Sequence, residues 1–197
     1  MQLNTNLVIF GLFELLATLV LGLATIFVVH RRVEKMLGIN IQEAIAAKNH
    51  AVTLFAGMYS FCLVWLTAES VDPSVDALRT MVQVRGVLEF KMLLIAAAYS
   101  IMLFTVSAIV GSVLLLTTIK VLTTATKKID EIADIRAGNL ATAIFIGLSL
   151  LASTIIARPA LASLLDGLVS YDMLHKIGEE AQGNAPVVSP TPEVPVQ

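Results

Sequence analysis

Residues Ile39–Met58 read INIQEAIAAKNHAVTLFAGM, and Ile129–Leu148 read IDEIADIRAGNLATAIFIGL. Seven of these twenty aligned positions are identical: Ile39/Ile129, Ile45/Ile135, Ala47/Ala137, Asn49/Asn139, Ala51/Ala141, Phe55/Phe145 and Gly57/Gly147. Chance gives roughly two identities between segments this apolar, so the pattern points to an internal duplication. In both copies a polar, helix-like stretch ends at an Asn, and an apolar stretch begins there.

Those apolar stretches decide the class. The chain has 197 residues, of which 57% are hydrophobic and only 14% charged. Four segments reach or approach the roughly 18 residues a helix needs to cross a bilayer. They are Leu7–Val29, which carries one charge (Glu14), and Ala51–Ala68, Met92–Ile119 and Leu140–Ala157, which carry none. An integral membrane protein is expected, its partner the lipid bilayer. The net charge of −2 offers no basic stripe for phosphates, so no nucleic-acid partner is expected. The first segment is read as a retained helix, because no positive residue precedes it and Val28-Val29-His30 is no small-residue cleavage site. The single Cys62 excludes an internal disulfide.

Each copy holds two spans, so both copies enter the membrane the same way. The expected fold is an all-α membrane protein: four transmembrane helices in two parallel two-helix hairpin repeats, with interfacial helices. Residues 1–68 form the first repeat and 69–91 a connecting segment with an interfacial helix. Residues 92–178 form the second repeat with its own interfacial helix, and 179–197 a disordered Pro-rich tail. Leu122, Ala125, Ile129 and Ile132 recur at helical spacing, which predicts a leading helix that continues to Arg136 and stops at Gly138. In the first copy Gly38 interrupts the equivalent run. Asp72-Pro73 and Arg158-Pro159 read as helix openings, with Val75, Leu78 and Val82 on one surface-lying face and Leu161, Leu164, Leu165 and Leu168 on another.

Lys and Arg set the orientation. Loops 30–50 and 120–139 hold eight of them and the other side five, which places these loops in the cytoplasm and both termini outside.

Asn49 and Asn139 are the first candidate binding residues. An Asn satisfies the free N–H groups of the helix it opens. Two matched amides at one surface also suit a polar mouth or a shared ion. Gly57, Gly147 and Gly111 fall in small-xxx-small patterns that let helices approach closely. Glu14 lies well inside a span, roughly 11 Å from its start by the 1.5 Å rise, and its repeat equivalent is Phe104. An intramembrane carboxylate needs a reason, either a proton or cation site or pairing with Arg158; the plainer alternative is a protonated or outward-reaching Glu. His30 and His50 share one surface, but nothing supports a haem or metal ligand set, and no cofactor or metal is expected. No phosphate loop, nucleophile elbow or catalytic carboxylate pair occurs, so no enzyme is expected.

The block resembles the YjfL-like family, also called domain of unknown function 350, whose members are small bacterial inner-membrane proteins with two copies of a two-helix domain. The matching residues are Lys48-Asn49-His50-Ala51 with Gly57, and Gly138-Asn139-Leu140-Ala141 with Gly147. Ala157-Arg158-Pro159-Ala160-Leu161 is similar to the end of longer members. The resemblance covers roughly residues 7–165, while segment 69–91 and the Pro-rich tail depart from compact members. It implies location and fold, since the family has no established activity. Three functions follow as expectations: a homo-oligomeric component of envelope integrity or a modest pore, a transporter or proton-coupled subunit using Glu14, or an anchor for a cytoplasmic protein partner.

Overall fold

The computed structural model describes residues 5–85, 88–126, 130–170 and 174. Its helices are α1 (Thr5–Leu37), α2 (Ile41–Ala46), α3 (His50–Ala68), α4 (Val71–Arg85), α5 (Phe90–Ala125), α6 (Glu131–Arg136) and α7 (Leu140–Leu168). No strand occurs among the described residues. Among the described residues, four helical stretches are long and apolar enough to cross a membrane: Leu7–Leu37, His50–Val84, Phe90–Ala125 and Leu140–Leu168. A helix closes its own backbone hydrogen bonds, which is what a chain in hydrocarbon requires. Their Ser and Thr hydroxyls follow the same rule: Thr25, Ser100 and Ser112 each donate to the carbonyl four residues back.

α3 is the centre of the bundle, with α1, α5 and α7 packed around it. Its Phe55, Tyr59, Leu63 and Leu66 are fully buried, together with Leu103 and Leu115 of α5 and Ile146 and Leu150 of α7. α3 and α7 run in the same direction. Gly147 lies against Met58, and Arg158, inside α7, reaches Glu69 just past the end of α3. Two interhelical hydrogen bonds fix the levels of the other helices. The Thr25 and Thr67 hydroxyls meet at 3.1 Å, and the Ser107 hydroxyl donates to the Leu66 carbonyl at 2.9 Å.

Three local expectations are corrected. The second leading helix does not run on to Arg136: α5 ends at Ala125, where the Thr126 hydroxyl donates to the Leu122 carbonyl, and α6 starts afresh under its own cap, Asp130. Pro159 opens no helix. It lies inside α7, so Leu161, Leu164, Leu165 and Leu168 continue the spanning helix. α4 begins two residues before Pro73, after only a two-residue turn from α3, and packs along α5 and α1. Val75, Leu78 and Val82 are therefore buried against protein, where a surface-lying helix was expected. For α4 the physical reason is burial: its apolar face lies against α5 and α1 and leaves solvent and headgroups alike. Residues 179–197, expected to be disordered, lie outside the described residues.

Candidate functional site

The duplicated block forms the same turn twice. In the first copy Asn40 caps α2 by accepting from Gln42 N–H and Glu43 N–H; in the second, Asp130 caps α6 by accepting from Ala133 N–H. Each helix lasts six residues and closes in a paired hydrogen-bond motif. Lys48 N–H bonds the Ile45 carbonyl at 3.0 Å and Asn49 N–H the Ala44 carbonyl at 2.9 Å; Gly138 N–H bonds Ile135 at 3.0 Å and Asn139 N–H bonds Asp134 at 2.9 Å. That motif demands a left-handed residue, and Lys48 (φ 56°) and Gly138 (φ 91°) supply it. Each Asn thus ends one helix through its backbone and opens the next through its side chain.

Each side-chain amide caps its helix through the oxygen and braces the turn through the nitrogen. Asn49 Oδ1 accepts from Val52 N–H, and its Nδ2 donates to the Arg136 carbonyl at 2.9 Å, across to the other copy. Asn139 Oδ1 accepts from Ala141 and Thr142 N–H, and its Nδ2 donates to Asp134. The two turns nevertheless touch, for Asn49 Oδ1 sits 3.8 Å from where a Cβ on Gly138 would lie.

The glycines divide. A Cβ on Gly147 would lie 3.0 Å from Met58 Cγ, and one on Gly111 would lie 3.0 Å from Leu63 Cδ1, so both mark close helix approaches. Gly57, expected to do the same, faces open space. The pair α3 and α7 is therefore not symmetric: Met58 fills the groove at Gly147, while its equivalent, Leu148, is exposed.

Glu14 is half-buried on α1, and its carboxylate has no hydrogen-bond or ion-pair partner among the described residues. The pairing with Arg158 is not formed. Arg158 Nε instead donates to the Glu69 carboxylate, and its guanidinium carbon lies 5.4 Å from the centre of the Trp65 ring. Sequence reading missed this cluster because Glu69 and Arg158 stand one position out of register with the repeat. What could have signalled it is that each is the first charge after an uncharged span.

Charged groups also collect where α1 turns into α2. Glu34 Oε1 accepts from Ile41 N–H at 3.2 Å and lies 3.3 Å from His30 Nε2, which braces the turn at Gly38. His50 is exposed at the start of α3. Glu131 is buried in α6, where the first copy has the buried Ile41, and its Oε1 has no hydrogen-bond partner among the described residues.

Residues 97–177 match the family model described as Domain of Unknown Function (DUF350), the family the repeated motif resembles. The match takes in Gly111, Asn139, Gly147 and the Arg158-Pro159 segment. No curated protein and no solved structure matches the chain.

Proposed function

We propose that this multi-pass membrane protein is a non-enzymatic homo-oligomer of the bacterial inner membrane, serving envelope integrity or enclosing a modest pore between copies. Glu14 carries the proposal. It sits half-buried on α1 among exposed Leu12, Leu15 and Leu16, with no carboxylate partner among the described residues. A charged side chain inside a span costs on the order of 3 kcal/mol on insertion scales. A donor from a second copy would offset that cost. A path through one copy has no support, since Phe55, Tyr59, Leu63 and Leu66 fill the centre of the bundle.

Two parallel hairpins suit the same picture. Within the chain, Asn49 meets the turn of the second repeat near the start of α3 and α7, and Arg158 of α7 meets Glu69 just past the end of α3. The Lys and Arg distribution supports an orientation with the Asn turns in the cytoplasm and both termini outside.

Light scattering of the purified protein in detergent and in nanodiscs tests the assembly. An oligomer that weakens in Glu14→Leu is expected; a monomer in both media removes the proposal. Ion flux through reconstituted vesicles then separates the roles. Flux abolished by Glu14→Gln favours the proton-coupled transporter alternative, which rests on the same carboxylate. Flux indifferent to it favours the pore, and no flux favours the structural role.

A further inference from the structure

We infer that, in the homo-oligomer proposed above, the polar face of α4 walls a water-filled seam with the α4 of a second copy; the seam rests on that assembly. Asp72, Asp76, Arg79 and Gln83 recur three and four residues apart on one exposed face, opposite the buried Ser74, Ala77 and Met81. Their depth follows from the antiparallel α4–α5 pair, which is pinned at both ends. At one end the Ser107 hydroxyl bonds the Leu66 carbonyl; at the other, α4 stops at Arg85 and α5 starts at Phe90. Counting between these pins sets Asp72 level with Ile101 and Arg79 level with Leu94. Asp72 therefore lies roughly 14 Å inside the uncharged run that begins at Met92, by the 1.5 Å rise. The start of α4 is equally deep beside α1, for Val71 lines a small cavity with Thr18, Leu21 and Gly22, inside the apolar run Leu7–Val29.

Lipid is the wrong cover for such a face. Acyl chains give a carboxylate or an amide no partner, and charged groups at this depth turn to protein or to water. Ile101 and Leu94, apolar and exposed at the same levels, are what lipid does cover. A second copy related by an axis along the membrane normal keeps every residue at its own depth. Asp76 and Arg79, paired at 3.0 Å within one chain, can then exchange partners across the seam. Asp72 has no hydrogen-bond or ion-pair partner among the described residues, and across the seam it meets the other copy's Asp72. A dry contact would press like charges together at low dielectric, so water fills the seam there. The polar wall ends at Glu69, which Arg158 binds, because α3 before it is uncharged from Ala51 to Ala68. Glu69, Asp72 and Asp76 outnumber Arg79 and Arg158, so the wall is negative and its water favours cations.

Thiol labelling of the full chain tests the wall, using Cys62→Ser with one added cysteine in membrane fragments open on both sides. Asp72→Cys and Asp76→Cys should react with a charged, membrane-impermeant methanethiosulfonate at least about tenfold faster than Leu94→Cys and Ile101→Cys, because a thiol ionises only where it is hydrated. Equal rates overturn the seam: fast at all four positions puts this level outside the bilayer, and slow at all four makes the face dry. A bifunctional methanethiosulfonate should then join Asp72→Cys chains into covalent dimers and leave Ile101→Cys chains single. Asp72→Cys chains that stay single, in a protein that light scattering shows to be oligomeric, overturn the α4 seam and leave the assembly standing. A monomer by scattering overturns both. Should Asp72→Cys not fold, Asp76→Cys carries the same two readouts with the same expected and overturning results.

Discussion

The Asn49 side chain donates to the main-chain carbonyl of Arg136 at 2.9 Å, tying the turn of one copy to the last residue of the short helix in the other. Asn139 has no equivalent reach, since its amide stays with Asp134 in its own copy. The two Asn residues should therefore differ in worth. Loss of a cap costs about 1 kcal/mol, and loss of a bond to an otherwise free helix-end carbonyl costs about 1 kcal/mol more. Asn49→Ala should destabilise by about 2 kcal/mol and Asn139→Ala by about 1, measured by unfolding in detergent. Equal losses would mean that the cross-copy bond contributes nothing.

Lys48 occupies a left-handed position that its equivalent fills with Gly138. Its side chain is exposed, so replacing it sacrifices no packing. A β-carbon in this region costs roughly 1–2 kcal/mol. Lys48→Gly should stabilise by about 1 kcal/mol, part of the gain being lost to the freer unfolded chain. Gly138→Ala should destabilise by a similar amount, although space exists for the methyl. A melt in which Lys48→Gly lowers stability would contradict this account of the turn.

The helices and the two Asn turns were legible because apolar length and the ninety-residue repeat are properties of the sequence itself. Gly138 also announced a helix end. Lys48 did not, because nothing about a lysine marks a left-handed residue; only its alignment with Gly138 points there. The break after Ala125 was hidden by apolar residues on both sides keeping helical spacing. Pro159 misled because proline is common at a helix start, yet here it is accommodated within α7. The Glu69–Arg158 pair depends on how two spans lie side by side, which no single stretch encodes.

Gly57 and Gly147 are aligned by sequence but separated by environment. In an open helix position Ala is favoured over Gly by up to about 1 kcal/mol, so Gly57→Ala should be neutral or stabilising. At Gly147 the new methyl would press on Met58 Cγ and Cβ at 3.0 and 3.3 Å, and at Gly111 on Leu63 and Leu66. Each of these substitutions should destabilise by about 1–3 kcal/mol, the usual range for overpacking. Stability measurements on the three single variants would reveal the asymmetry directly. Identical behaviour of Gly57→Ala and Gly147→Ala would contradict it.

The turn between α3 and α4 creates the last test. Ser70 N–H turns to the Thr67 carbonyl, so the Leu66 carbonyl loses its normal partner four residues on and keeps a long bond, 3.3 Å, from Glu69 N–H. The Ser107 hydroxyl supplies the missing donor at 2.9 Å from the neighbouring helix. Ser112, one turn further along α5, bonds only within its own helix. Ser107→Ala should therefore cost about 1 kcal/mol by leaving a buried carbonyl under-satisfied, whereas Ser112→Ala should change stability little. Thr25→Val, which removes the 3.1 Å contact to Thr67, should fall between them at about 0.6 kcal/mol, the average for interhelical hydrogen bonds in membranes. If Ser107→Ala and Ser112→Ala are equally mild, the α3–α4 turn does not depend on α5 for its hydrogen bonding.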